Sequence, residues 1–147
     1  MTIVRQILQQ KGNQVWSVTP NTTLRDTLKI MADKKVGAVL VIEKDHIEGI
    51  FSERDFVREI AQAGEYSLDA PIHRLMTRLV YYIPPDISVD ECMVMMTEKR
   101  IRHLPVVEEG HLIGIISIGD VVKEVLSQKE ITIRSIESYI LGRGYNQ

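Results

Sequence analysis

Gly49-Ile-Phe-Ser-Glu-Arg-Asp55 returns 65 residues later as Gly114-Ile-Ile-Ser-Ile-Gly-Asp120. Each stretch sets Gly-x-x-Ser-x-x-Asp after an apolar, β-branched run and before a segment of helical periodicity, so each reads as a strand-to-helix junction. The same offset aligns Pro20–Glu59 with Pro85–Glu124 without a gap, and 12 of those 40 positions are identical. A self-match at one fixed period marks two copies of one structural unit. Upstream, Ile7 meets Ile72 and Val15 meets Val80, so the copies are expected over residues 1–64 and 65–130, with 131–147 as a helical extension.

Both copies carry the same periodicities. Leu24, Thr27, Leu28 and Met31 recur at helical spacing after the N-cap candidate Thr23, and Val89, Cys92, Met93 and Met96 do so after Ser88. Val36–Ile42 and Ile101–Val107 are long enough for buried strands and too short for helices. Lys44-Asp45 and Glu109-Gly110 are turn signals, leading back into Ile47–Phe51 and Leu112–Ile116 as hairpin partners. Helices are expected from near Glu53 and Ile118, and short lead-in strands at Val15–Val18 and Val80–Ile83. Ile3, Ile7 and Leu8 suit one face of a short helix at the start of the first copy. The expected class is mixed α/β (α+β): two pseudo-symmetric β-α-β-β-α repeats packed as a sandwich, since one unit of about 60 residues has only a marginal core of its own.

Composition narrows the function. The 147 residues carry 18 Lys+Arg against 20 Asp+Glu, and the net charge of -2 gives no general field for nucleic acid or an anionic membrane. The longest apolar run, Val36–Ile42, is far short of the roughly 20 residues of a membrane span. No secretory leader is read at Met1–Gln10, and the lone Cys92 can form no internal disulfide, so a reducing, cytoplasmic setting is expected.

Two readings fit the repeated Ser-x-x-Asp. It suits a capping box, with Ser at the N-cap and Asp at N3. It also suits a nucleotide corner, where helix N–H groups and a serine hydroxyl face an anion and the carboxylate accepts hydrogen bonds from ribose hydroxyls. Gly, Ser and Asp recur in both copies while the residues between them differ, and this keeps ribose binding level with the cap.

Two β-α-β-β-α copies ending in Gly-h-h-Ser-x-x-Asp, with Arg102-His-Leu-Pro-Val106 opening a strand of the second, resemble a tandem pair of CBS domains over nearly the whole chain. The resemblance implies a stand-alone CBS pair (Bateman module) that needs no cofactor and binds an adenosyl ligand in the cleft between repeats: AMP, or ATP, NAD(H) or S-adenosylmethionine. Carried over by position, one site uses Asp120 on the ribose with Ser117 nearby, Arg102 and His103 toward phosphate, and Trp16 and Val36 about the adenine. The other uses Asp55 and Ser52, with Tyr81 and Ile101 flanking the base. There Gly37 and Ala38 replace Arg102 and His103, and Arg54 is the candidate substitute. Family members associate through their helices, so a homodimer is expected. Phe56, Val57, Ile60, Val121, Val122, Val125 and Leu126 are the apolar residues available for it, and Ile133, Ile136, Ile140 and Leu141 form a further amphipathic pattern.

The remaining residues suggest less. His46 and His111 sit at matching hairpin tips and read as solvated, since no Cys or carboxylate cluster has ligand spacing. Met93, Met96 and Cys92 lie on an apolar stripe and read as core, and Trp16 is equally core or base platform. No Walker loop, Gly-x-Gly-x-x-Gly, His-Glu-x-x-His or Gly-x-Ser-x-Gly is present, so no enzyme is expected. The leading expectation is a nucleotide sensor acting on an unidentified partner protein. The alternative is a homodimeric scaffold in which Ser-x-x-Asp only caps, and an enzyme using Asp and His103 on a nucleotide is the weakest of the three.

Overall fold

The structure is a computed structural model that describes residues 1–129; the amphipathic segment Ile133–Leu141 lies outside the described residues. Two compact units are present, Gln14–Tyr82 and a second made of Met1–Asn13 with the chain from Ile83 onward. The described elements mix helix and strand, giving an α+β fold of two repeats with small sheets.

In the unit Gln14–Tyr82, β1 (Ser17–Val18) leads into α2 (Leu24–Lys34), β2 (Ala38–Glu43), β3 (His46–Ser52) and α3 (Glu53–Ala63). The helix that precedes them, α1 (Val4–Lys11), belongs to the other unit. The Thr23 hydroxyl accepts the Asp26 N–H at 3.1 Å and starts α2, whose Leu24, Thr27 and Met31 are buried. β2 lies between β1, parallel, and β3, antiparallel. The turn joining β2 to β3 has Lys44 and Asp45 at φ +49° and +66°, the two positive angles of a tight hairpin that follows the sheet twist. Val18, Leu24, Met31, Val39, Val41, Phe51 and Ile72 form the core, flanked by Trp16, Val36, Phe56 and Met76 among others.

The other unit holds α1 (Val4–Lys11), α4 (Val89–Lys99), β4 (His103–Glu108), β5 (His111–Ser117) and α5 (Ile118–Gln128). Its hairpin repeats the first, with Gly110 at φ +78° where Asp45 stands. The expected strand Val80–Ile83 shrinks to one bridged residue, Ile83 beside Val106. The cause is chemical: the Leu40 N–H donates to the Trp16 carbonyl at 3.2 Å in the first copy, and its counterpart Pro105 has no N–H to donate. Cys92 is fully buried on α4, and burial pushes its thiol up to about 11, as suits a small apolar filler.

The units do not follow the sequence copies, because each lead-in segment docks on the other copy. Val4 and Arg5 donate backbone N–H bonds to Ile87 and Pro85, and Val89 donates to Thr2. Arg5 also pairs with Asp86 and Glu108. Conversely, Leu24 and Arg25 donate to Ala70 and Leu68, and Ile72 donates to Thr22. The lead-in helix that α1 supplies ahead of the first copy is reduced ahead of the second to a 3-10 turn, Ile72–Arg74.

This exchange accounts for the repeated glycines. A Cβ on Gly49 would stand 2.7 Å from Met76 Sδ and 2.8 Å from the Thr77 carbonyl oxygen, and one on Gly114 would stand 2.7 Å from Leu8 Cδ2. Both glycines admit a lead-in segment, a packing role apart from any anion. Gly49→Ala is therefore expected to cost about 1–3 kcal/mol, since backbone must give way, and Gly114→Ala less, since the tip of a leucine can rotate. Urea unfolding of the two variants checks the order, and equal losses would refute it.

Candidate functional site

The two Ser-x-x-Asp corners are built alike at their base. Ser52 and Ser117 are the N-caps of α3 and α5, and their hydroxyls accept the Asp55 and Asp120 N–H groups, each at 3.2 Å. Each aspartate in turn accepts the N–H and the O–H of its own serine, at 3.0 and 3.0 Å for Asp55 Oδ2 and at 2.8 and 3.0 Å for Asp120 Oδ2. These are complete capping boxes. The first helical amide is satisfied as well, Glu53 N–H by the Gly37 carbonyl at 3.0 Å and Ile118 N–H by that of Arg102 at 2.8 Å. Two of the first three amides of each helix are thus used internally, so an anion here meets chiefly side chains.

The corners diverge at the second carboxylate oxygen. Asp55 Oδ1 accepts the Thr77 hydroxyl at 3.0 Å and lies 3.7 Å from Arg58 Nη1, and the Asp55 side chain is 10% exposed. Asp120 is 22% exposed; its bonds converge on Oδ2, where Lys11 Nζ joins at 2.6 Å, and none ends on Oδ1 among the described residues. Burial works against the charge of Asp120, but the Lys11 ammonium and the Ser117 donors outweigh it, and the carboxyl sits below its ordinary value. That contribution to stability is present at neutral pH and is lost as pH falls through the carboxylate range.

Neighbouring strands complete the contrast. The β4–β5 ladder sets His103 opposite Ser117, and the Arg102 carbonyl holds the start of α5, so Arg102, His103, Ser117 and Asp120 share one corner. Ala38 is opposite Ser52 in the matching ladder, and Gly37 holds α3, so no charge enters there from β2. Arg102 is exposed, His103 and Ile101 are half-buried, and Arg54 is exposed on α3. Trp16, Val36 and Tyr81, all half-buried, fall in the unit Gln14–Tyr82. Trp16 packs on that unit's core with Lys34 Nζ 4.5 Å from its ring centre, a cation–π contact. His46 and His111 are exposed at the hairpin ends.

Sequence reading passed over Lys11 and Thr77, the residues that separate the two corners. At the repeat offset Lys11 faces Met76 and Thr77 faces Gly12, so self-comparison carries no signal for either.

Residues 4–62 and 72–127 each match the family model of the CBS domain. The chain belongs to the CBS domain family. A CBS-domain protein from Burkholderia ambifaria, described as acting in signal transduction, has a similar structure at TM-score 0.84 and 44% identity, covering 90% of this chain and 99% of its own. A mitochondrial CBS domain-containing protein of Arabidopsis thaliana, CBSX3, is 32% identical, covering 98% of this chain and 74% of its own. The CBS pair of protein MJ0100, solved with 5′-methylthioadenosine and S-adenosyl-L-methionine, shares the fold at TM-score 0.76 and 22% identity, covering 87% of this chain and 98% of its own. Among the described residues no helix is long and apolar enough to cross a membrane, and no group of three or more His, Cys, Asp or Glu is placed to hold a metal.

Proposed function

We propose that this CBS pair is a regulatory module that binds an adenosyl ligand, AMP foremost with ATP, NAD(H) or S-adenosylmethionine as further members of the class, and thereby alters a partner protein. It acts as a sensor with no reaction of its own, as a cytoplasmic homodimer. The observation that carries the reading is the Ser117–Asp120 corner. Among the described residues it leaves Asp120 Oδ1 without a bond and so available to ribose hydroxyls, at a corner where the exposed Arg102 precedes the strand that faces Ser117. Asp55 has both oxygens engaged, so the second-copy corner is the one we assign to ligand. The adenosyl ligands of the MJ0100 pair support the ligand class. Exposed Val57 on α3 and Ile118 and Val122 on α5 support association through those helices. The ligand works on a partner only through its different affinity for two arrangements of the module.

A second reading, a scaffold in which both motifs only cap, is favoured by the complete capping boxes. Calorimetric titration separates the two. Asp120→Ala is expected to weaken AMP binding about tenfold or more, because a hydrogen bond to a charged group contributes roughly 1.5–3 kcal/mol. Unchanged affinity with about 1 kcal/mol of lost stability is the scaffold's result.

A further inference from the structure

We infer that Lys11 is a specificity-determining residue of the Asp120 corner, setting it for anionic adenosine phosphates over neutral or cationic adenosyl ligands. The inference rests on the adenosyl-binding reading above. Lys11 closes α1, yet its ammonium does not serve its own helix end, where the Gly12 N–H already bonds the Leu8 carbonyl at 2.8 Å. It reaches 2.8 Å from the Ile115 carbonyl and 2.6 Å from Asp120 Oδ2. An ammonium has three donors, and two are used among the described residues. The side chain is 32% exposed, so the third N–H is within reach of a bound molecule.

Position and charge point the same way. Leu8, one turn earlier and buried, is seated against Gly114, so α1 is anchored and the ammonium is held in place before any ligand arrives. In the first copy the equivalent task, bonding the capping aspartate from a lead-in segment, falls to the uncharged hydroxyl of Thr77. The first turn of α3 carries Glu53 and Asp55 against Arg54, and Arg58 one turn on lies 3.7 Å from Asp55, so these four charges balance. Asp120 is the only acid in the first turn of α5; it pairs with Lys11, and the exposed Arg102 precedes His103, which faces Ser117 across the ladder. The Asp120 corner is thus one positive charge in excess over these groups. Ribose hydroxyls take Asp120 Oδ1 equally well from any adenosyl compound, so discrimination falls on what the 5′ carbon carries. Phosphate gains from the excess charge, a neutral 5′ group gains nothing, and a sulfonium is repelled.

The test is calorimetric titration of the full chain, as wild type, Lys11→Met and Lys11→Arg, with AMP, adenosine and S-adenosylmethionine. In the wild type AMP is expected to bind at least about tenfold tighter than adenosine or S-adenosylmethionine. Lys11→Met should lose about tenfold for AMP and less than about twofold for adenosine, and Lys11→Arg should restore most of the loss. The ratio of the two affinities is the readout that a merely structural tie would not move. If Lys11→Met leaves AMP unchanged, or weakens AMP and adenosine alike, the inference is overturned while the adenosyl-binding reading stands. If the wild type binds none of the three ligands, both fall.

Discussion

Phe51→Ala lowers the unfolding free energy by about 3–5 kcal/mol, the range for truncating a fully buried aromatic ring whose surroundings relax only in part. Phe51 is 0% exposed and stands on β3 against Val18, Leu24, Met31, Val39 and Ile72. These residues come from β1, α2, β2 and the 3-10 turn, so one ring joins four segments of the unit Gln14–Tyr82. Denaturant unfolding gives the size of the loss, and amide hydrogen exchange gives its location. Protection is expected to fall first in α2, β2 and β3. A loss below about 1 kcal/mol would mean that the ring is not a keystone of that core.

Leu8→Ala is the second large effect, about 2–5 kcal/mol for a buried leucine, and its location matters more than its size. Leu8 belongs to the lead-in of the first copy in sequence but is 4% exposed in the unit that contains most of the second copy, against Gly114 of β5. Exchange protection should therefore fall in β4, β5 and α5, 95–120 residues away along the chain, while β2 and β3 keep theirs. The opposite pattern would show that α1 packs where its sequence neighbours lie. The space vacated also makes Gly114→Ala cheaper in the Leu8→Ala background, a coupling that a double-mutant cycle reads directly.

Most of what short-range patterning sets could be read from the residues. The stripes Leu24–Met31 and Val89–Met96, the caps Thr23, Ser88, Ser52 and Ser117, and the two-residue turns all depend on neighbours within a few positions, where helical and strand periods are explicit. Pro105 was local too but went unread: a strand was expected at Val80–Ile83, although a residue without an N–H cannot complete the ladder that Leu40 completes. What could not be read was the company each lead-in segment keeps. Thr77 reaches Asp55 across 22 residues and Lys11 reaches Asp120 across 109, and neither is encoded by any local period. The same blindness made the two Gly-x-x-Ser-x-x-Asp motifs look equivalent. They share their caps and differ in the side chain arriving from outside the motif.

The exchange of lead-in segments makes the connectivity that of an insertion: Gln14–Tyr82 is an uninterrupted stretch lodged within a unit whose own chain is broken at that point. During synthesis the inserted stretch is whole once Tyr82 has left the ribosome and can begin to fold as a unit. α1, made first, must wait with Val4, Ile7 and Leu8 uncovered until β5 and α5 are complete. Folding the inserted unit early also shortens that wait in physical terms, because a compact body spans the gap between α1 and β5 at a smaller closure entropy than a loose chain of the same length.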